Sequence, residues 1–321
     1  MTDTTKHFNN RFFSGILISM IGALCFSSKA IFVKLGYRDA VVDPMTLLAV
    51  RMMVALPFFL LNAMIAGLRK KEAALSYITW LWIVFTGCLG YYISSLLDFA
   101  GLQYVSAGLE RLILFIYPTF VMIISSVVFG EKIRRAQWIA TLVTYTGIIF
   151  AFFGEFNINA SQQNIWKGAS FIFMCALTYG SYIVASARII PVAGAARFNS
   201  YSMIAASAGV LVHYFIFGDQ PVTSITESTW WWGGLMGIFS TVIPSYLVAE
   251  SINRIGGENT AIVASLGPVS TILMAWIWLG EDITIWQISG TLCIVFGIII
   301  VARNGKNKPA AIPVEVQEPV A

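Results

Sequence analysis

The sequence predicts an all-α integral membrane protein with ten transmembrane helices, arranged as two inverted five-helix repeats. Three observations predict this fold: an apolar composition, ten apolar runs joined by short polar connections, and motifs that recur between the two halves. Hydrophobic residues make up 58% of the chain and charged residues 11%, and the mean hydropathy is +0.77. A water-soluble domain usually carries about 25% charged residues. The charged residues here are too few to cover a water-facing surface, so the lipid bilayer is a predicted partner.

Each apolar run is about long enough to cross a bilayer as a helix, which takes roughly 20 residues. The runs cover residues 12–34, 44–66, 78–100, 107–129, 137–153, 166–186, 198–217, 230–249, 259–279 and 285–302. Unpaired backbone groups are costly in lipid, so segments of this length are expected to be helices rather than barrel strands. Residues 1–11 are predicted to form a cytoplasmic N-terminal segment, and residues 303–321 a disordered cytoplasmic tail.

Lys and Arg are distributed unequally between the two sets of connections. The set that includes both chain ends holds Lys6, Arg11, Arg69, Lys70, Lys71, Lys132, Arg134, Arg135, Arg188, Arg197, Arg254, Arg303, Lys306 and Lys308. The other set holds only Lys34, Arg38 and Lys167. Because these residues concentrate on the cytoplasmic side, both termini are predicted to be cytoplasmic. The net charge of +4 is therefore a topology signal and does not indicate nucleic acid as a partner.

The two halves of the chain share motifs at a fixed spacing. Pro118, Gly130, Glu131, Gln137 and Gly147 correspond, 150 positions later, to Pro268, Gly280, Glu281, Gln287 and Gly297. A second set, at an offset of 153, relates Gly15, Ala23, Leu24 and Ser28 to Gly168, Ala176, Leu177 and Ser181. Because five helices is an odd number, the second copy enters the membrane from the opposite side. Such inverted repeats are a recurring plan of secondary transporters that work by alternating access.

These motifs resemble the EamA family of the drug/metabolite transporter superfamily. Each copy has a Pro-containing helix, a Gly-Glu hinge and a helix that carries Gln and then Gly. The resemblance covers nearly all of residues 12–302, as a first repeat at 12–153 and a second at 166–302. It implies a carrier of small polar or amphipathic metabolites in a bacterial-type inner (plasma) membrane, often an exporter.

Five ionisable residues of the first repeat are expected within the membrane: Lys29, Arg51, Asp98, Glu110 and Arg111. A charge at mid-bilayer costs roughly 2.5–3.5 kcal/mol on insertion scales, so such residues are candidates for function. In one interpretation they line a cavity in which Lys29 and Arg51 receive a substrate carboxylate or phosphate. In the other, they form an ion-pair network that holds the first four helices together.

Tyrosines complete the predicted substrate-binding set. Tyr92, Tyr117, Tyr179 and Tyr182 place hydroxyls and rings in otherwise apolar spans. Such groups suit an amphipathic substrate resembling an amino acid. The four cysteines lack CxxC spacing and are interpreted as small buried residues rather than metal ligands or disulfides.

Two prolines are the predicted hinges. Pro118 and Pro268 each remove a helical hydrogen bond and allow a kink, and Gly267 precedes the second. Glu131 and Glu281 follow these helices and are expected to cap the next helix, where the dipole favours a carboxylate.

The predicted function is a secondary transporter that moves a small, amino-acid-like metabolite across the inner membrane by alternating access, with export favoured over uptake. The alternative is a non-transporting scaffold or receptor subunit. An intramembrane enzyme would need a motif such as HExxH, and ATP-driven transport would need a P-loop; the sequence contains neither. No cofactor, metal or catalytic residue is therefore predicted.

Coupling and assembly have open alternatives. Proton antiport through Asp98, Glu110 or His213 fits the sequence, and so does facilitated diffusion without a coupling ion. His213 is the only histidine expected in the membrane, where it either relays protons or packs beside its aromatic neighbours. The chain is compatible with a monomer or a homodimer.

Overall fold

The computed structural model describes residues 3–68, 75–133, 135, 138–139, 141–143, 145–147, 149–150, 164–218 and 220–304. Within these residues the regular structure is entirely helical. The helices are α1 (Asp3–Asp39), α2 (Pro44–Leu68), α3 (Tyr77–Gly87), α4 (Ser94–Leu102), α5 (Ala107–Leu114), α6 (Tyr117–Phe129), α7 (Ile165–Ala193), α8 (Ala195–Phe217), α9 (Glu227–Gly237), α10 (Ile243–Val263), α11 (Gly267–Met274) and α12 (Ile285–Asn304).

Seven stretches of the described chain are helical, long and apolar enough to cross a membrane. They are Phe12–Asp39, Pro44–Ile65, Tyr77–Leu102, Ala107–Phe129, Ile165–Ala193, Ala195–Phe217 and Glu227–Ala261. Gly267–Leu279 is also apolar but shorter. Of the predicted run at 137–153 the structure describes only 138–139, 141–143, 145–147 and 149–150, and of the predicted tail at 303–321 only 303–304. The all-helical class with several spans is therefore confirmed, whereas the count of ten helices stays a prediction.

Short polar side chains fix where several helices begin. Ser76, Ser106 and Thr226 each accept a hydrogen bond from the backbone N–H three positions further on, at 3.2, 3.0 and 3.3 Å. At the start of α12, the Gln287 N–H donates to Thr284 Oγ1 at 3.1 Å, and the Thr284 N–H donates to Gln287 Oε1 at 3.2 Å. This reciprocal pair is a capping box, which satisfies two N–H groups that would otherwise lack partners.

Both predicted hinge prolines follow an interruption in their helix. The chain leaves the α-helix between α5 and α6, directly before Pro118. It passes through a 3₁₀ turn at Ala264–Leu266 before Pro268. Because proline has no N–H, the α-helical hydrogen bond cannot continue through either position.

Local structure recurs at the same 150-residue offset as the sequence motifs. Gly130 and Gly280 both end their helices in the left-handed region, with φ of 67° and 69°, which glycine adopts without steric cost. Ser76 and Thr226 are equivalent N-caps. A π-helical segment follows α3 at Cys88–Ile93, and another follows α9 at Ile238–Val242. The repetition in sequence is thus matched by repetition in local backbone structure.

Helices of the first half pack against helices of the second. α1 lies along α10, α2 lies against α8 and α9, and α4 lies against α7. Small residues permit the closest approach, since a Cβ on Gly237 of α9 would lie only 2.9 Å from the Arg51 carbonyl oxygen. Gly233 faces Val50 in the same contact. The buried charges of the first half therefore lie beside residues of the second.

The structure corrects the predicted break between residues 249 and 259. α10 continues beyond residue 249 and bends sharply at Gly256, whose φ of 80° and ψ of 164° are not helical. Within α10, Glu250 Oε1 and Arg254 Nε lie 2.6 Å apart as an i,i+4 ion pair, the pairing that their spacing predicts. One glycine thus makes a turn that the sequence analysis assigned to a longer connection.

Candidate functional site

A partly open cavity of about 60 Å³ lies between the two halves, large enough for several water molecules. Six of the predicted substrate-binding residues line it: Lys29, Arg51, Asp98, Arg111, Tyr117 and Tyr179. The second half contributes Cys175, Tyr179, Val248 and Ala264 to its wall. The cavity is therefore a shared feature of the two halves.

Lys29 is the centre of a buried ionic triad. Its Nζ lies 2.6 Å from Asp98 Oδ2 and 3.7 Å from Glu110 Oε1. Asp98 and Glu110 are fully buried, and no hydroxyl or amide of the described residues donates a hydrogen bond to their carboxyl oxygens. Lys29 is thus their main electrostatic partner, as the ion-pair interpretation of these residues requires. Removing it would leave two carboxyl groups buried without compensation.

Arg51 of α2 is held by hydroxyl groups rather than by a carboxylate. Its Nε donates to Thr241 Oγ1 at 2.6 Å and its Nη1 donates to Ser95 Oγ at 3.4 Å. The guanidinium also lies over the Phe99 ring, 5.4 Å from its centroid. Thr241 belongs to the π-helical segment after α9 and donates its own proton to the Met236 carbonyl at 2.8 Å. The second half therefore orients the most buried cation of the first.

Arg111 of α5 lies where a glycine leaves space for it. Its Nη2 donates to Ser27 Oγ at 3.4 Å, and its guanidinium packs directly against Gly267 at the start of α11. Ser27 in turn donates to the Gly267 carbonyl at 3.1 Å and is joined to Ser270 at 3.0 Å. Within the described chain, no carboxylate lies within ion-pair distance of either Arg51 or Arg111.

Aromatic rings form the apolar part of the wall. Tyr179 makes edge-on contacts with Phe26 and Tyr117, at centroid distances of 6.5 and 5.2 Å. The Tyr117 hydroxyl donates to the Ala261 carbonyl at 3.1 Å, which fixes the ring across the two halves. Tyr91 also lines the cavity. The site thus combines cationic groups with a rigid apolar surface.

Three predicted substrate-binding residues and His213 lie outside the lining. Glu110 lies behind Lys29, and Tyr182 lies behind Tyr179, whose ring it stacks on at 5.9 Å. The Tyr92 hydroxyl hydrogen-bonds to His213 Nδ1 at 2.8 Å. Neither Tyr92 nor His213 reaches the cavity. His213 is therefore placed as a packed partner of Tyr92 rather than beside the buried carboxyl groups.

Both hinge regions touch the cavity. Leu114 and Ala264, which lie four residues before Pro118 and Pro268, both line it. A proline cannot donate to the carbonyl four residues earlier. The helix interruptions therefore lie beside the cavity. Gly267, which precedes Pro268, also leaves space for the Arg111 guanidinium.

Glu281 caps a different helix from the predicted one. Its Oε1 accepts from the Ala107 N–H at 3.1 Å, and its Oε2 accepts from the Gly108 N–H at 3.3 Å. It therefore caps α5, from the opposite half, because Thr284 already caps α12. Glu131 pairs with Arg188 Nη2 at 2.9 Å. The helix that carries Glu110 and Arg111 is thus held at its first turn by the second half.

Comparison with known proteins shows the family. The EamA-like transporter family matches residues 13–153 and, a second time, residues 166–303. The chain belongs to the EamA-like transporter family. This protein is accordingly a multi-pass membrane transporter and not an enzyme.

Its relatives include three proteins of Bacillus subtilis (strain 168), each described as an uncharacterized transporter. YcbK is 30% identical over 291 residues, which covers 86% of this chain and 89% of YcbK. YoaV is 25% identical over 274 residues, which covers 83% of this chain and 89% of YoaV. YdfC is 24% identical over 216 residues, covering 67% and 69%. A solved crystal structure superposes with a TM-score of 0.67 at 18% identity, covering 92% of this chain and 99% of that one, so it shows the same fold.

Sequence reasoning missed several residues that position the site. Phe26 lines the cavity, and Ser27 and Thr241 orient the two arginines. Single hydroxyls and rings are common in apolar helices, so none of these positions carries a signal of its own. The arginines themselves gave an indirect signal. A buried guanidinium needs hydrogen-bond acceptors, so hydroxyl residues were to be expected on the helices packed around it.

Proposed function

We propose that this transporter is a secondary carrier that moves a small polar or amphipathic, amino-acid-like metabolite across the inner membrane by alternating access, in the direction of export. The observation that carries the proposal is the cavity between the halves, where two arginines lack a carboxylate partner among the described residues. A cation buried without a counter-charge is costly unless a ligand supplies one. The substrate-binding residues are Lys29, Arg51, Asp98, Arg111, Tyr117 and Tyr179, supported from behind by Glu110 and Tyr182.

The proposed topology is two inverted five-helix repeats, at residues 12–153 and 166–302, with both termini in the cytoplasm. The recurring left-handed glycines, N-caps and π-helical segments support the repetition, and the distribution of Lys and Arg supports the orientation. Thiol labelling with an impermeant reagent tests it in a cysteine-free background. Lys167→Cys is expected to react from outside the cell, and Arg254→Cys only from the cytoplasmic side.

Movement is proposed to occur at Pro118 and Pro268, assisted by Gly267. The support is geometric: both prolines follow a helix interruption, and the residues four positions earlier line the cavity. A bend at these points changes access to the cavity without unpacking whole helices.

A proton is the proposed coupling ion, carried by Asp98 and Glu110. Two carboxyl groups share one lysine in the triad, so either carboxyl is a candidate to bind and release a proton. His213 is a weaker candidate for this role, because it is bound to Tyr92 and lies outside the cavity. Facilitated diffusion, which needs no coupling ion, is the alternative.

Counterflow in proteoliposomes tests the carrier function. Vesicles are preloaded with one member of a panel of amino acids and organic acids, and uptake of the same labelled compound is followed. Saturable counterflow is expected for the wild type and for Arg38→Ala, whose side chain is 60% exposed. Arg51→Ala is expected to lose it while remaining monodisperse in detergent. Absence of counterflow across the whole panel would reject a carrier, and undiminished counterflow by Arg51→Ala would reject the cavity as its site.

A further inference from the structure

The charged side chains around the cavity do not balance, although the four buried ones, Lys29, Arg51, Asp98 and Glu110, do. Of the described residues, the charged side chains around the cavity are three cations, Lys29, Arg51 and Arg111, and two carboxyl groups, Asp98 and Glu110. With all five ionised, the cluster carries a net charge of +1. The excess comes from Arg111, which is partly exposed and lines the cavity, and one negative charge bound there would relieve it.

The excess charge lies on the arginines. Lys29 Nζ forms ion pairs with Asp98 Oδ2 at 2.6 Å and with Glu110 Oε1 at 3.7 Å. Arg51 and Arg111, in contrast, donate to the neutral hydroxyls of residues such as Thr241 and Ser27. A guanidinium has five N–H donors arranged to bind a carboxylate through two of them, and a hydroxyl does not neutralise it. Two guanidinium groups at one cavity therefore form an anion site.

The cavity offers little to an ammonium group. Asp98 is the only acidic residue in the described lining, and its Oδ2 is already 2.6 Å from a lysine ammonium. A second ammonium at Asp98 would lie close to Lys29 and be repelled by it. A zwitterion would also add no net charge and would leave the excess of +1 in place.

The remaining wall favours an apolar body. Phe26, Tyr91, Tyr117 and Tyr179 contribute rings to the lining, and the contacts between Tyr179 and its neighbours hold them in place. Rings fixed in this way can contact a flat or branched apolar group at little entropic cost.

We propose that the substrate is a small organic monoanion: a carboxylate on an aromatic or branched apolar body, without an ammonium group. Arg51 and Arg111 bind the carboxylate, the aromatic wall binds the body, and the Lys29 triad stays intact. This inference rests on the proposed carrier function and narrows its substrate class away from amino acids.

Three compounds of one shape but different charge test the class. 3-Phenylpropionate is an anion, phenylalanine adds an ammonium to it, and 2-phenylethylamine is a cation that lacks the carboxylate. The full-length protein in detergent is titrated with each compound, and the thermal unfolding midpoint gives an apparent affinity. Counterflow of each compound is measured in proteoliposomes.

The anion is expected to bind at least about tenfold more tightly than either other compound and to drive counterflow. Arg111→Gln is expected to weaken that binding about tenfold or more, whereas Arg38→Gln is expected to leave it unchanged. Equal or tighter binding of phenylalanine would overturn the monoanion class, while its counterflow would still support a carrier. No response to 3-phenylpropionate would also overturn the class, and only failure of the wider panel would reject the carrier itself.

Discussion

Gly267→Ala is expected to displace the Arg111 guanidinium without unfolding the protein. It therefore tests the position of Arg111 independently of the stability of the fold. Gly267 has helical dihedrals, φ −51° and ψ −48°, so alanine fits its backbone. An added Cβ would collide with Arg111 Nη2 and lie 2.9 Å from its Nε and 3.0 Å from its Cζ. These atoms are the mobile end of a long side chain, so the guanidinium is expected to move while the helices stay in place.

The expected loss is that of one charged contact to the substrate. A hydrogen bond to a charged group contributes about 1.5–3 kcal/mol, which corresponds to a roughly 10- to 150-fold weaker affinity for 3-phenylpropionate. Titration followed by thermal unfolding measures this affinity, and the unfolding midpoint without added compound is expected to change little.

The matched control is Gly234→Ala in α9. A Cβ at Gly234 meets nothing within 4 Å, so this variant makes the same chemical change without a collision. It is expected to retain wild-type affinity and to gain a few tenths of a kcal/mol in stability, because alanine favours the helix. Wild-type affinity in Gly267→Ala would refute the role assigned to Arg111, and so would equal losses in the two variants.

Three further variants test the surrounding contacts. Glu281→Ala removes the acceptors of the Ala107 and Gly108 N–H groups at the start of α5 and leaves the Ser106 cap in place. It is expected to cost about 0.5–2 kcal/mol of unfolding free energy, whereas the adjacent Asp282→Ala should cost little; thermal unfolding measures both. Lys29→Ala leaves two buried carboxyl groups unpaired and is expected to cost about 3–5 kcal/mol of unfolding free energy. Adding Asp98→Asn removes one of these carboxyl groups and should recover part of that loss. Additive losses of stability in the double variant would argue against the triad. Glu110→Gln removes one negative charge from the cluster and should tighten 3-phenylpropionate binding, because like charges repel. Weaker binding would contradict the charge balance.

Much of the site could be predicted because charges in apolar spans are rare. Lys29, Arg51, Asp98 and Arg111 were found from that cost alone, and all four line the cavity. Which of these cations pairs with a carboxyl group of the protein could not be predicted, since a linear sequence does not show which cation faces which carboxylate. For Lys29 the sequence left open both a substrate acid group and a carboxyl group of the protein as the partner, and in the structure it pairs with Asp98.

The missed features depend on contacts between the halves. Glu281 was assigned to α12 because it precedes that helix in sequence, but it caps α5. The pattern Thr284-x-x-Gln287 is a visible capping box and would have shown that α12 had its own cap. The π-helical segments at Cys88–Ile93 and Ile238–Val242 have no such sequence signal, because they depend on packing rather than on local propensity.

The charge balance also bears on how a proton would couple to transport. A proton on Asp98 or Glu110 raises the net charge of the cluster from +1 to +2 and strengthens its attraction for an anion. By linkage, the bound anion then strengthens proton binding by the same factor. Proton and anion would cross together, so an inward proton gradient would drive uptake. This differs from proton antiport, which was one of the two alternatives that the sequence left open. Export of an anion through this site would instead run down the substrate's own gradient. Acidification of the vesicle lumen during uptake of 3-phenylpropionate, measured with a pH-sensitive dye and greater than in protein-free vesicles, would establish cotransport. Anion flux without proton flux would establish facilitated diffusion and leave the triad with a structural role.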